Sequence, residues 1–439
     1  MIVDTGTRDF HVLWCGESIS LLGDRVATFA VPTIAILTLH ATAFQVGLLT
    51  MATYIAYPVA GIGAGLLVDR FSRRRMMVLA GVARLVLFMS IPVVARSGGL
   101  TLGQLLLVVA ASGCFTLLYD VALQGYLPLL LTGGDLPRGN ARVEVSRSTS
   151  QVVGPALGGA VSGVFGASTA VGLNAMSFLG SVLGVLSVRT PEPPPEPRSP
   201  SQGVAGRLRE GFAFVLGHEL LRPLTFCAAM RNLGITVTKT AIFLYAYRAL
   251  HLSAGVTGVI LAGGAVTAVL GAAVSGRVVR RFGYGRTLLF TVAEGATWTL
   301  VPFALLGHPA QVLGAIVAFS SPWLAIWNSQ VAVARQVLAP ARLQSRVLSS
   351  IRAIAWGTLP LGSLLGGGLS LVLVGAFGER AGLALTIVVG GLLATSGGAW
   401  LLAPAVRNTR LIPRAHPHHS GESRRRYSTA VVSPTIGRP

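Results

Sequence analysis

Four acids stand inside otherwise apolar runs of this chain, Glu17, Asp24, Asp120 and Glu294, and four cations share such runs with them, Arg25, Arg84, Arg231 and Lys239. A charge held in an oily interior is costly and needs a partner or a task. Burial disfavours the ionised form of a carboxylate and a nearby cation favours it. An acid that alternates between those surroundings can therefore load and release a proton. Glu17 and Asp24 are seven positions apart, so on a helix they share one face, about 10 Å apart at 1.5 Å per residue. Asp24 falls near the middle of its run; Asp120 and Glu294 fall nearer one end. Asp24 and Asp120 are the leading proton carriers, with Glu17 beside them and Arg84 as the expected partner of Glu17 or Asp120. A static ion pair is the competing reading for each, and for Glu294 it is the favoured one.

Other chemistries are poorly served. Gly61, Gly63 and Gly65 form G-x-G-x-G, but inside an apolar run and not after a strand, which excludes a nucleotide fingerprint. Lys239, the only lysine, follows Thr238 where a phosphate loop requires glycine, so ATP hydrolysis within the chain is excluded. Cys15, Cys114 and Cys227 lie in apolar runs, so neither a disulfide nor a thiolate metal site is expected. His11, His218, His251 and His308 are scattered, which speaks against a membrane enzyme. His416, His418 and His419 belong to a basic polar tail that reads as disordered near the membrane rather than as a metal site. No cofactor and no metal are expected.

The elements that must carry these charges follow from composition. Of 439 residues, 52% are hydrophobic and only 11% charged, with a mean hydropathy of +0.68. A soluble protein has about a quarter of its residues charged. The chain is therefore read as an all-α membrane protein. Twelve segments are long enough to cross a bilayer: 10–38, 44–68, 76–96, 101–131, 146–167, 169–188, 223–248, 254–279, 287–306, 309–334, 347–375 and 381–403. Loops at one face carry almost no charge. The other face collects Arg70 to Arg75, Arg138, Arg142, Arg147, Arg280, Arg281, Arg286, Arg335, Arg342 and Arg346. Positive loops stay on the cytoplasmic side, so both termini are placed there. The net charge of +20 then answers to anionic headgroups and not to nucleic acid. The arginine, alanine, glycine and valine bias is that of a high-GC bacterial genome, which points to the inner membrane of a bacterium.

Pro-rich RTPEPPPEPRSPSQ, Arg189 to Gln202, reads as an extended linker, and Gly203 to Glu219 as an amphipathic helix lying on the inner leaflet. The expected units are an N-terminal six-helix bundle over 1–188, the linker and interfacial helix over 189–222, a C-terminal bundle over 223–403 and the basic tail over 404–439. GLLVDRFSRRR at Gly65 to Arg75 has a relative in GRVVRRFGYGR at Gly276 to Arg286, 211 positions on (276 − 65), which makes the two bundles a duplication. Gly154, Pro155, Gly158, Gly159 and Gly163 have the small-xxx-small spacing that lets helix backbones approach, and Pro155 removes an internal hydrogen bond. Pro360, Gly362 and Gly366 repeat that arrangement in segment eleven.

Twelve segments in two related halves, with an Asp-Arg…Arg-Arg turn after the second, resemble the major facilitator superfamily of secondary transporters. SLLGDR at Ser20 to Arg25, YDVALQGYLP at Tyr119 to Pro128 and SRSTSQVVGPALGG at Ser146 to Gly159 are similar to its enterobactin-exporter and macrolide-efflux branch. Gly154 to Gly159 looks like the motif of its proton-driven antiporters. The resemblance implies that Asp69 meets the start of segment eleven and, with Arg70, Arg73, Arg74, Arg346 and Arg352, latches the cytoplasmic side. Those arginines can equally serve topology alone. The second turn has Arg280 where the first has Asp69, which puts a second latch in doubt. The fold implies a cavity lined by segments one, four, seven and ten, with Tyr119, Asn232, Lys239, Trp323, Trp327 and Gln330 as its candidate lining. Aromatic side chains with few fixed polar groups suit a large amphipathic molecule; they also serve as lipid anchors or helix filler. The expected function is export of a drug, antibiotic or secreted metabolite by a monomer working by alternating access, driven by the proton gradient. An uptake symporter is the nearest alternative, followed by a membrane enzyme or a non-transporting receptor.

Overall fold

Residues 5–56, 71–131, 135–192, 204–340, 343–407 and 409 are described by the structure, a computed structural model, and among them there is helix and no strand. That is the outcome a bilayer demands, since a helix satisfies its own backbone where no water can. In order the helices are α1 (Thr5–Thr33), α2 (Ala43–Tyr54), α3 (Arg73–Arg96), α4 (Leu102–Leu130), α5 (Asp135–Phe165), α6 (Ala167–Leu186), α7 (Val204–Gly217), α8 (Leu221–Leu244), α9 (Ala254–Phe282), α10 (Tyr284–Phe290), α11 (Ala293–Thr297), α12 (Pro309–Leu338), α13 (Gln344–Ser396) and α14 (Pro404–Arg407). Among the described residues, eight helices are long and apolar enough to cross a membrane; the last of them, Arg346–Leu402, is 57 residues long. It turns sharply at Gly378, whose φ of 78° favours glycine. Segments eleven and twelve are thus its two limbs, 344–377 and 379–396. The second segment is described only through Ala56, and Asp69, Arg70, Gly61, Gly63, Gly65, most of the Pro-rich stretch and the histidine tail lie outside the described residues.

The duplication is visible in the backbone. α1 ends in a π-turn over Ile34–Thr38 and α8 in another over Tyr245–Ala249, again 211 apart (245 − 34). After each, a histidine stands in the left-handed region, His40 at φ 51° and His251 at φ 54°. Leu39 N–H then donates to Ile34 O at 3.0 Å and Leu250 N–H to Tyr245 O at 2.9 Å. Thr42 and Ser253 cap the helices that follow, Thr42 through a reciprocal capping box with Gln45.

Segment nine is present as one span, Tyr284–Leu305, but it is irregular: its hydrogen bonding passes through α10, α11 and a 3₁₀ run over Trp298–Leu305. One cause is that Arg231 Nη1 takes Thr291 O at 2.9 Å; another is Pro302, which offers no donor. Segment five begins earlier than 146, at Asp135. α7 precedes Leu221–Ala249 at an angle of 101°.

The apolar core has a shape that matters. At the charge-poor end, one continuous cluster joins α1, α2, α3, α4 and α6 to α8, α9, α12 and α13, through residues such as Ile34, Val46, Ile91, Phe178, Tyr245 and Ile387. At the arginine-rich end the core is divided. Phe10, Met77, Tyr126 and Val185 form one cluster, and Cys227, Tyr284, Trp327 and Leu401 another. Among the described residues, helices from the two sides of the chain share an apolar cluster at the charge-poor end and fall into separate clusters at the other.

Candidate functional site

The charges of the first six segments gather around Arg84. This arginine of α3 is buried, and its Nη2 donates to both oxygens of Asp24 on α1, at 2.6 Å each. The guanidinium also lies over the Phe178 ring of α6, 4.0 Å from its centroid. Charge-assisted contacts of this kind are stronger than neutral ones, yet Arg84 Nε has no partner. The pairing corrects the expectation that Arg84 serves Glu17 or Asp120; the lateral offset between α1 and α3 gives it to Asp24 instead. Glu17, one face-length away, is buried, and its Oε2 also has no partner. Tyr119 of α4 stands beside Glu17, its hydroxyl accepting from Ser181 Oγ at 2.7 Å. Asp120 is half-buried and makes no ion pair among the described residues; Arg147, Arg84 and Arg352 act on it through space. The cluster thus holds three acids within reach of one buried cation, with one carboxylate oxygen unsatisfied.

The last six segments hold a different pair. Arg231 of α8 and Glu294 of α11 form a buried ion pair, Arg231 also binds Thr291 Oγ1 at 3.2 Å, and its guanidinium lies 4.6 Å from the Trp327 ring centroid. This is the static pair expected for Glu294. It also changes the reading of Trp327, which is buried under Arg231 instead of lining a cavity. Gln330 is buried too, with its main-chain carbonyl accepting from the Tyr284 hydroxyl at 3.2 Å, and Tyr119 is buried. In this state all three are packed in the interior, which sets them apart from an open cavity lining. Trp323 is half-buried with Nε1 unpartnered. Asn232 Nδ2 donates to Ala355 O of α13 at 2.7 Å, and Lys239 is exposed.

The arginine-rich turn is braced against its own neighbours. Arg73 Nη1 donates to Gly125 O of α4 at 3.0 Å, and Arg74 Nη2 to Leu186 O of α6 at 2.7 Å. Glu192, assigned to the linker from its proline context, caps α3: it accepts from Ser72 Oγ at 2.5 Å, Arg73 N at 2.7 Å and Arg74 N at 3.2 Å. A carboxylate at a helix N-terminus is favoured by the orphan N–H groups and the dipole there. Arg346, expected in the latch, pairs with Glu210 of α7. Arg352 is exposed and stacks over Trp356, 5.0 Å from its centroid.

At the charge-poor end the glycines do what their spacing predicts. A Cβ on Gly159 of α5 would stand 2.7 Å from Gly258 Cα of α9, and one on Gly47 of α2 would stand 2.9 Å from Gly367 Cα of α13. Gly154 and Gly158 seat the same helix on α1, against Arg25 and Phe29, while the Pro155 carbonyl faces Gly258. Three polar or aromatic contacts reinforce this end: Thr33 with Tyr247 at 2.8 Å, Phe29 edge-on to Phe243 at 5.6 Å, and Arg248 Nη2 donating to Ala41 O at 2.9 Å. Arg248 also reaches Glu379 at 3.4 Å. Neither Glu192 nor Tyr247 stands out in the sequence, and Arg248 does so only as one of the few arginines near the charge-poor face. The 211-residue repeat would have found the neighbourhood of Tyr247.

Known proteins share this plan. The chain is 28% identical over 411 residues to the multidrug efflux pump Tap of Mycobacterium tuberculosis, covering 90% of this chain and 93% of that one. It is 26% identical over 322 residues to the enterobactin exporter EntS of Citrobacter koseri, covering 73% and 75%. Its fold matches the crystal structure of a bacterial homologue of the human lysosomal transporter Spinster, in an inward-facing and unoccupied conformation, with a TM-score of 0.71 at 14% identity, over 94% of this chain and all of that one. The family model of the Major Facilitator Superfamily matches residues 13–358. A multi-pass helical core cemented at one end, duplicated in its turns and matched over most of its length, makes this chain a member of the Major Facilitator Superfamily of membrane transporters.

Proposed function

We propose that this protein is a proton-coupled exporter of amphipathic small molecules, working as a monomer in a bacterial inner membrane with both termini in the cytoplasm. The reading rests above all on the apolar core, single at the charge-poor end and divided at the arginine-rich end. Positive loops belong to the cytoplasmic side, so this state opens inward. Residues 1–188 and 223–403 are the two rocking units, joined through 189–222, with 404–439 as a basic tail. Glycine contacts between α5 and α9 and between α2 and α13 close the outer side and must part for release. The efflux activity in the names of Tap and EntS supports the outward direction. Asp24 is the exchangeable acid: it is held by Arg84 in this state, while its side chain stays 31% exposed. Asp120, which makes no ion pair among the described residues, is the second carrier. The energy comes from the proton gradient, without a cofactor.

The test is transport in proteoliposomes under an imposed pH gradient. Asp24→Asn and Asp120→Asn are each expected to abolish gradient-driven export while leaving folded yield near normal. Undiminished gradient-driven export by both variants would remove them as carriers. Accumulation that rises with the gradient in the uptake direction would replace the exporter with a symporter.

A further inference from the structure

Lys239 is the only lysine in the chain. It is exposed in the middle of α8, a helix on which most positions are buried or half-buried. Four residues further on, Phe243 packs edge-on against Phe29 of α1, with ring centroids 5.6 Å apart. Positions four apart share a helix face, with about 6 Å of rise between them. Lys239 therefore faces the gap between α1 and α8, one turn inside the seal. The repeat of 211 residues (239 − 28) matches it to Thr28 of α1, which is also exposed.

A cation at such a depth calls for a counter-charge, and among the described residues none forms an ion pair with it. Glu294, the acid whose field Lys239 feels, is already bound by Arg231 in a sealed pair. Asp24 is taken on both oxygens by Arg84. Asp120 faces Arg147, Arg84 and Arg352. Arg25, half-buried on α1 beside Gly154, and exposed Arg352 on α13 also make no ion pair among the described residues. Among the described residues, Lys239, Arg25 and Arg352 make no ion pair, against Glu17 and Asp120 among the buried and half-buried acids.

We propose that the transported molecule carries an anionic group, a carboxylate or sulfonate on an apolar body, and that Lys239 binds it. This rests on the exporter reading and names the substrate class of the same gap. The apolar body lies against Phe243 and Phe29, and the anion completes the charge balance that the protein leaves open. Electrostatic complementarity selects by penalising the wrong charge as much as by attracting the right one.

The test uses the full-length protein in nanodiscs of zwitterionic lipid and two dansyl-octyl probes, one ending in a carboxylate and one in a trimethylammonium. Fluorescence anisotropy is expected to give at least tenfold tighter binding of the carboxylate probe. Lys239→Gln is expected to erase that preference, Lys239→Arg to keep it, and Arg222→Gln, at an exposed position near the start of the same helix, to leave it unchanged. Equal or tighter binding of the cationic probe, binding of neither probe, or a preference untouched by Lys239→Gln overturns the proposal. Gradient-driven export of both probes from proteoliposomes separates it from the exporter reading. Export without charge preference sinks the anion site alone. Lys239-dependent binding without export sinks the exporter alone.

Discussion

The two buried ion pairs of this protein use the same parts to different ends. Each has an arginine lying over an aromatic ring, Arg84 on Phe178 and Arg231 on Trp327. In the second pair both side chains are sealed, at 4% and 3% exposure, and Thr291 O and Oγ1 take further guanidinium protons. In the first, Asp24 is 31% exposed, and Glu17 and Asp120 stand nearby without an ion pair among the described residues. Removing water from a charge is costly, and a pair with both side chains sealed from solvent has no competing partner to exchange with. A pair with one wet partner and two competing acids can exchange. The lesson is that a charge in a membrane span announces a function when its pair stays open to solvent and to competing acids, not merely because it is charged.

The largest test of this contrast is to break the sealed pair. Glu294→Ala leaves Arg231 buried and uncompensated, a change that costs about 3–5 kcal/mol. It should collapse folded yield or lower the unfolding temperature sharply in detergent. The double replacement Arg231→Met with Glu294→Leu should recover most of that loss. A double variant as unstable as the single one would show that the pair's geometry, and not its charge, holds α8 to α11. The next effect is smaller. Asp24→Ala removes a charged hydrogen-bond acceptor from Arg84, which costs about 1.5–3 kcal/mol, partly relieved because the Asp24 side chain is 31% exposed and solvent can take its place. Thermal unfolding should therefore rank Glu294→Ala well below Asp24→Ala, whereas transport should fail in Asp24→Ala even where the protein is folded. Equal destabilisation by the two would erase the distinction between a structural and a working pair. Smaller again is the aromatic contribution. Phe178→Leu removes a cation–π contact worth about 0.5–2 kcal/mol, and its effect should shrink when Arg84 is also replaced, in a double-mutant cycle read by unfolding.

Much of this arrangement was legible in the residues. Hydrophobic length gave the helices, because nothing but a helix or a closed barrel spans a bilayer. The turn repeat pointed to duplication, and the paired π-turns bearing His40 and His251 carry it at the same 211-residue displacement. The spacing of Gly154, Gly158 and Gly159 anticipated close backbone contact with α1 and α9. What failed were statements about partners across helices. Which of Glu17, Asp24 or Asp120 meets Arg84 depends on the lateral offset and rotation of α1, α3 and α4, which local pattern does not encode. Tyr119 and Trp327 were assigned to a cavity because an aromatic side chain in a span looks the same whether it faces a gap or a neighbouring helix. Glu192 was hidden by its prolines, which mark a linker and say nothing of the acid between them. Arg231 explains the irregular ninth segment, and no sequence window around 291 contains it.

The smallest expected effect concerns the entrance to α8, the helix that carries Arg231. His218 Nδ1 accepts from the N–H groups of Leu220 and Leu221 at 3.1 and 3.3 Å, so this nitrogen must be free of a proton. Burial lowers the affinity of the ring for a proton below the ordinary value of 6.5, more than Glu219 and its own backbone raise it. A group whose folded value is depressed contributes stability that is present above its unfolded value. For His218 that contribution is whole above about pH 6.5 and declines as the pH falls from there towards the lowered folded value. The contact is worth about 0.5–1.5 kcal/mol. Between pH 7.5 and 5.5 the wild type should lose a small part of its stability that His218→Ala, already lower at pH 7.5, does not lose. Because the Arg231–Glu294 pair is sealed, the stability of α8 should respond to pH over that range through His218 and not through the pair. An identical decline in the His218→Ala variant would assign the response to the buried pair and undo the contrast from which these tests begin.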